Sequence, residues 1–327
     1  MAYRFAVDIG ASRTMLALVK SSTPEVVAHE RPATDVLFTG WRAPGLALAG
    51  AIQRFLSDRE IGLDEIVGVG LGVPGILDRG HGLVLSCPNL RVLDGTALGA
   101  DASAELGIPV CIENNTNLIA LGEHTAGLGQ GISDMAAVFV GSGVGCGLIL
   151  SGQLYIGADG HAAELGHTIV VPHGLLCSCG SHGCLEMYCS GKALTLVAET
   201  TFKPGELFAA GTRFAGAELL IERARAGHQK AIAALSEAFT YLGLGIINLV
   251  NLLNPRLIVL GGGIVAAWPA GVELASKVVL EEARIEARRN LRIEVSQLGN
   301  FAGVLGGAAL LSAQGELKRV LDTGAKQ

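Results

Sequence analysis

Three apolar runs in this chain each stop at a glycine-rich turn, and this recurrence constrains the fold more than any other feature. Phe5-Ala6-Val7 ends at Asp8-Ile9-Gly10-Ala11-Ser12-Arg13-Thr14, Ala136 to Val140 ends at Gly141-Ser142-Gly143-Val144-Gly145, and Leu257 to Leu260 ends at Gly261-Gly262-Gly263. Small residues at a strand end let backbone N–H groups approach a phosphate, and a carboxylate such as Asp8 placed there holds Mg²⁺ through water. The third turn opens a helix, where a flat adenine or ribose can press against the backbone. Any one of these turns reads equally well as strand punctuation. The three in this order read as a nucleotide cleft between two domains.

The rest of the chain follows the same α/β grammar. Met15 to Val19 forms a hairpin with the first run, Leu46 to Leu56 has helical spacing, and Glu65 to Leu71 is a buried strand ending at Gly72-Val73-Pro74-Gly75. Ala100 to Leu106 is predicted helical, Pro109 to Ile112 extended, Asn117 to Ala126 helical, and Gly303 to Leu311 a final helix. Such alternation predicts a mainly parallel sheet flanked by helices, with a second sheet starting at Met135. Two strand-rich units, each with a glycine turn after a hairpin strand, hint at a duplicated plan. At 327 residues, two domains are expected. The expectation is a small domain over 1–116, with a helix at about 312–327 returning to it, and a large domain over 117–311.

Composition narrows the function classes. The formal charge is −6 and no Lys/Arg cluster occurs, so no nucleic-acid partner is expected. The N-terminus runs straight into a strand pattern without the apolar core of a signal peptide. The most apolar stretch, Leu242 to Leu260, carries Asn248, Asn251, Asn254 and Pro255. A membrane span would have to bury those amides, so the stretch reads as a buried helix followed by a strand. A cytoplasmic chain without a membrane partner is expected.

Four of the seven cysteines, Cys177, Cys179, Cys184 and Cys189, crowd into one segment. Three thiolates and one imidazole make the closed four-ligand set of a structural Zn²⁺ site, and Gly180 and Gly183 permit the tight loop. His161, His167, His173 and His182 all lie near enough in sequence to supply the imidazole. Cys189, past the loop, reads as core, as do Cys87, Cys111 and Cys146 in their apolar surroundings.

In this order the motifs resemble the ROK family of sugar kinases and sugar-responsive repressors, from Phe5 to Leu311. The most specific elements are Glu164-Leu165-Gly166-His167 and Cys177-Ser178-Cys179-Gly180-Ser181-His182-Gly183-Cys184-Leu185-Glu186. Val73-Pro74-Gly75 with Asp78, Pro88-Asn89-Leu90, Glu113-Asn114 with Asn117, and Asn254-Pro255 also match. The resemblance implies an actin-like ATPase (ribonuclease H-like) fold with ATP and hexose meeting between two domains. It implies that Asn114, Glu164, His167 and Glu186 hold sugar hydroxyls near Gly75. Asp8, Gly10, Ser12 and Arg13 would face the phosphates and Mg²⁺, as would Ser142 and Gly143 from the other domain, with Gly262 and Gly263 near adenosine. His167, with Cys177, Cys179 and Cys184, would complete the zinc set and offer its other nitrogen to the sugar.

Ala11, Ser12, Arg13 and Ser142 are modest departures from the family pattern. Asn115 is different in kind, because kinases of the family place there the Asp that takes the proton from the attacking hydroxyl. A carboxamide cannot accept that proton, although it can still hydrogen-bond the hydroxyl. The implied function is an ATP-dependent hexose kinase acting on the 6-hydroxyl of glucose, allose or a related hexose, impaired by Asn115. A non-catalytic sugar sensor is the alternative. Repressors of the family carry a helix-turn-helix segment ahead of the kinase-like part, whereas here the first strand begins by Phe5, so a DNA reader is not expected. The family also implies homodimers or tetramers.

Overall fold

The computed structural model describes residues 2–38, 43–203 and 215–312. Beyond residue 312, the helix expected at about 312–327 lies outside the described residues. Among these residues two compact units emerge, one formed by those within 2–131, 154–161 and 297–312, the other by those within 132–153 and 162–296. The division differs from the expected boundary at 116, because the helix that starts at Asn115 stays with the first unit.

The first unit is built on β1 (Tyr3–Ile9), β2 (Thr14–Lys20), β3 (Val26–Glu30), β4 (Ile66–Val73) and β7 (Val110–Asn114), in the order β3-β2-β1-β4-β7. A small hairpin, β5 (Ile76–Asp78) with β6 (Leu83–Ser86), follows β4. Its helices are α1 (Thr34–Phe38), α2 (Pro44–Ser57), α3 (Leu98–Leu106), α4 (Asn115–Ala126) and α12 over 302–312. Strand periodicity sorts β1 onto two faces. Phe5, Val7 and Ile9 pack with Leu48, Ile52 and Phe55 of α2, while Ala6 joins Val304, Leu305 and Ala308 of α12. Asp8 shares the α12 face. The small residues there have a reason: a Cβ on Gly70 of β4 would overlap the Gly307 backbone, and one on Gly122 of α4 would overlap that of Ala302. Helix α12 therefore lies in backbone contact with the sheet and with α4.

The second unit is built on β8 (Met135–Val140), β9 (Val144–Leu150), β11 (Leu257–Gly261) and β12 (Arg292–Val295), and with β10 (Gln153–Tyr155) the sheet order is β10-β9-β8-β11-β12. Among its described helices are α5 (Glu186–Cys189), α6 (Gly191–Thr201), α7 (Ala215–Arg225), α8 (Gln229–Leu253), α9 (Gly263–Ala267), α10 (Pro269–Glu282) and α11 (Ile285–Arg288). Helix α8 is long and apolar enough to cross a membrane by composition. Here Leu235, Phe239, Leu242, Ile246 and Val250 pack into the core of this unit instead. Asn254 ends α8 in the left-handed region (φ 47°), Pro255 follows, and the chain turns into β11.

Both sheets are mixed rather than mainly parallel. β1 pairs antiparallel with β2 and parallel with β4, and β8 pairs antiparallel with β9 and parallel with β11. The physical reason is connection length: residues 10–13 and 141–143 are too few for a crossover and only close hairpins. Numbered along the chain within each sheet, both five-stranded sheets read 3-2-1-4-5, the repeated plan that the paired glycine turns hinted at.

Candidate functional site

In the first unit the residues singled out from the sequence gather at the ends of β1, β4 and β7. Asp8 Oδ1 is buried and has no hydrogen-bond partner. Burial pushes the Asp8 carboxyl up to about 7, with the Arg31 guanidinium partly opposing the shift. A buried carboxylate oxygen without a donor is costly unless a proton or a cation satisfies it, and the donor chemistry fits a hydrated Mg²⁺. Two glycines make room for it: a Cβ on Gly303 would overlap the Asp8 carboxylate, and one on Gly72 would stand 3.3 Å from Oδ1.

The adjoining turn is tied from behind. Gly10 N–H donates to Arg13 O (3.0 Å) and Thr34 N–H to Ser12 O (3.0 Å). The buried Thr34 hydroxyl donates to Gly10 O (2.8 Å) and lies 3.0 Å from the Thr14 hydroxyl. The carbonyls are thus engaged inward, while the Ser12 and Arg13 side chains remain exposed.

Helix α4 starts two residues before the predicted position, and that places Asn115. Asn114 is its N-cap: Oδ1 accepts from Thr116 N–H (2.9 Å) and from the Thr116 hydroxyl (2.7 Å). Asn114 Nδ2 donates to Gly75 O (3.3 Å), which links the cap to the turn after β4. Gly75 itself has φ 153° and packs so closely on Ser86 and Cys87 that a side chain would overlap them. Asn115 is the first helical residue, half-buried, with its Cα 3.5 Å from where a Gly72 Cβ would stand. Asp8 and Asn115 therefore flank one glycine.

In the second unit, ligand atoms of His167, Cys177, Cys179 and Cys184 all lie within 4.8 Å of one another. Cys179 and Cys184 sulfurs are 3.6 Å apart, and Cys177 Sγ is 3.6 Å from His167 Nδ1. Tetrahedral bonds of about 2.3 Å to sulfur and 2.0 Å to nitrogen give ligand separations of about 3.5–3.8 Å. The residues fit Zn²⁺. Among the histidines near the loop, His167 is the one in the cluster, facing it through Nδ1 and leaving Nε2 for another partner. The loop is preshaped by Cys177 N–H to Ser181 O (2.8 Å) and Gly183 N–H to Leu175 O (2.8 Å). The Ser181 backbone holds the Cys179 thiol below its ordinary range, which favours the ligating thiolate. Cys189 is buried outside this cluster, at the end of α5, as are Cys87 and Cys146 elsewhere; Cys111 is half-buried.

Glu186 connects this loop to the second glycine turn. One carboxylate oxygen lies 3.9 Å from Cys177 Sγ, and the other occupies the space of a Gly143 Cβ, 2.5 Å from it. The turn is shorter than predicted, because β9 already resumes at Val144. Its carbonyls receive the start of α6, with Gly191 N–H to Gly141 O at 2.8 Å and Lys192 N–H to Ser142 O at 3.4 Å. Glu164 is exposed and opens the short 3-10 turn Leu165–His167, which packs on the Val144 backbone at Gly166. Gly262 (φ 92°) lies against Val140 just before that turn, and Gly263 faces open space at the first residue of α9.

Sequence reasoning missed Gly72, Thr34, Arg79 and Gly303. Gly303 carried a readable signal, since Gly303, Gly306 and Gly307 recur along one predicted helix and glycine is disfavoured there without a packing reason. Thr34 and Arg79 had none, because their partners lie far away in the chain.

Comparisons with known proteins identify the family. The chain is 35% identical over 250 residues to a putative xylose repressor of a Caldicellulosiruptor species, covering 75% of this chain and 62% of that protein. The chain thus spans less than two thirds of the repressor's length. It is 30% identical over 314 residues to a glucokinase of Halalkalibacterium halodurans, covering 94% of each. The solved ROK glucokinase of Streptomyces griseus, in complex with glucose and AMPPNP, superposes with a TM-score of 0.77 at 29% identity, over 94% of this chain and 99% of that one. The fold is therefore that of the actin-like ATPases. With the model of the ROK family matching residues 4–314, this chain belongs to the ROK family.

Proposed function

We propose that this chain is an ATP-dependent hexose kinase scaffold that binds a sugar and MgATP and aligns a sugar hydroxyl, the 6-hydroxyl, with the γ-phosphoryl group. The observation that carries this reading is Asp8, a buried strand-end carboxylate with an unsatisfied oxygen beside a backbone turn. Similarity to glucokinases over nearly the whole of both chains supports the same reading. Mg²⁺, when bound, neutralises phosphate charge.

The chain's own residues do the rest. The Gly10–Arg13 turn, with Ser12 and Arg13 exposed, and the Gly141–Gly143 turn with Ser142 receive phosphate oxygens, and Gly262-Gly263 takes the adenosine. Asn114, Glu164, His167 Nε2 and Glu186 pair with the hydroxyls of glucose, allose or a related hexose, next to Gly75. Carboxylates accept from adjacent hydroxyls, and an amide both donates and accepts. The Zn²⁺ ligands His167, Cys177, Cys179 and Cys184 fix the imidazole and, through Cys177, the surroundings of Glu186. Asn115 holds the reacting hydroxyl without removing its proton. Phosphoryl transfer rests largely on positioning and electrostatics, so turnover is slowed rather than abolished. A cytoplasmic homodimer or tetramer completes this reading.

A second reading, a sugar sensor without catalysis, is favoured by Asn115 together with the similarity to the xylose repressor. Calorimetry with a panel of hexoses, with and without MgATP, decides between them. Cooperative binding of sugar and MgATP, with phosphate transfer that rises in Asn115→Asp, supports the kinase. Sugar binding indifferent to nucleotide, and no transfer in either form, supports the sensor.

A further inference from the structure

Glu113 belongs to the Glu113-Asn114-Asn115 stretch, yet it is buried and turned away from solvent (3% exposed). Its carboxylate accepts from Arg79 Nε (2.7 Å) and Arg79 Nη2 (2.6 Å) in a two-pronged pair. It also accepts from Asn114 N–H (2.7 Å) and from Asn117 Nδ2 (3.0 Å). Three of the four donors converge on Oε1 and one on Oε2, so this buried carboxylate is committed to the protein's own groups. Arg79 sits in the turn of the β5–β6 hairpin and also donates from Nη2 to Gly160 O (3.1 Å). One ion pair thus ties four pieces of the first unit together: the end of β7, the first turn of α4, the β5–β6 hairpin and the 154–161 segment.

What lies inside this bracket is the Asn114–Asn115 dipeptide. Asn114 is pinned on one side by Gly75 O and on the other by Thr116, and both anchors are carried by the elements that Glu113 clamps. Asn115 takes no part in the clamp and projects from the helix start that the clamp sets. We propose that Arg79 is a positioning residue, which acts through Glu113 to hold Asn114 and Asn115 in register with the bound sugar. A guanidinium is required because only its planar fork reaches both carboxylate oxygens while a further N–H bond goes to Gly160 O.

For its turnover readout this inference rests on the kinase reading; its second readout does not. Arg79→Lys keeps the charge but not the fork, and Arg79→Met with Glu113→Gln removes both charges so that no buried ion is left unpaired. Each is compared with its parent, with and without Asn115→Asp, for hexose and ATP kinetics, hexose affinity by calorimetry, melting temperature and amide exchange over 110–120. Arg79→Lys is expected to lower kcat/KM for hexose by roughly 10–100-fold with the KM for ATP unchanged. Exchange should quicken at 113–117 while the β8–β11 core stays protected. Unchanged hexose kinetics and unchanged exchange in both variants overturn the proposal. So does a parallel decline of hexose and ATP parameters in step with the melting temperature, which marks a merely structural pair. If neither parent takes any hexose, the kinase reading falls. Exchange then decides alone: local quickening at 113–117 supports the clamp, and its absence overturns it.

Discussion

The surroundings of Asp8 and Asn115 are held by the protein's own donors and acceptors, whereas those of Glu186 adjoin a cluster of three thiols and one imidazole that fits a cation. In the first unit, Thr34 ties down the turn after β1, Asn114 caps α4, and Arg79 pairs with Glu113. That region is ordered before any ligand arrives, and a single oxygen of Asp8 is left unsatisfied. In the second unit, the loop carrying Cys177, Cys179 and Cys184 is shaped by backbone bonds such as Gly183 N–H to Leu175 O and Leu185 N–H to Thr168 O, but its thiolates repel one another unless a cation lies among them. The difference teaches that the two regions should fail differently, one by losing a charge balance and the other by losing the metal its ligands fit.

The sharpest test concerns the residue on which the preorganised region falls short. Asn115→Asp should raise hexose phosphorylation by roughly 10²–10⁴-fold with sugar affinity little changed, measured by coupled assay and calorimetry. Equal turnover in both forms would mean that the ordered region does not contain the base position.

Asp8 provides the next largest effect. Its folded pKa of about 7 exceeds the unfolded value of 3.8, so the folded chain binds the extra proton. The associated stability is complete below 3.8, declines as pH rises towards 7, and is gone above it. In magnesium-free buffer with zinc retained, Asp8→Asn should therefore be the more stable protein at pH 8, by an amount of order 2–4 kcal/mol. The advantage should vanish near pH 4, and MgATP should no longer raise the melting temperature. Denaturant titrations at the two pH values check this, and a destabilised Asp8→Asn at pH 8 would break the comparison.

The metal-fitting region makes the contrasting prediction. Cys184→Ser should lower bound zinc from one per chain to none and weaken hexose affinity by roughly 10–100-fold, with nucleotide affinity retained. Metal analysis and calorimetry read this directly. The smallest effect belongs to Thr34→Val, which leaves Gly10 O without its donor. A loss of about 1 kcal/mol in unfolding free energy and a weaker MgATP interaction, with sugar binding intact, is the expected outcome.

Much of this was legible in the chain. The apolar runs that stop at Gly10, Gly141 and Gly261 mark β1, β8 and β11, because strands and their turns are written in contiguous residues. The Cys177-x-Cys179 pair with Cys184 was legible for the same reason, since short spacing forces the thiols together. Which histidine joins them was legible only through the family resemblance, because His161, His167, His173 and His182 are equivalent by spacing. Only the packing of Gly166 on Val144 turns His167 Nδ1 towards Cys177. The parallel sheet expected from strand–helix alternation gave way to mixed sheets, because pairing direction depends on connection length rather than on the strands themselves.

By itself, then, the sequence determined the strand–turn grammar, the thiolate set and the identity of residue 115, all of them properties of neighbours in the chain. The tertiary structure alone decided that Asp8 has an orphaned oxygen, that Gly143 yields its side-chain space to Glu186, and that Arg79 reaches Glu113 across 34 positions. Each of these depends on which groups burial brings together, and burial is a property of the folded whole.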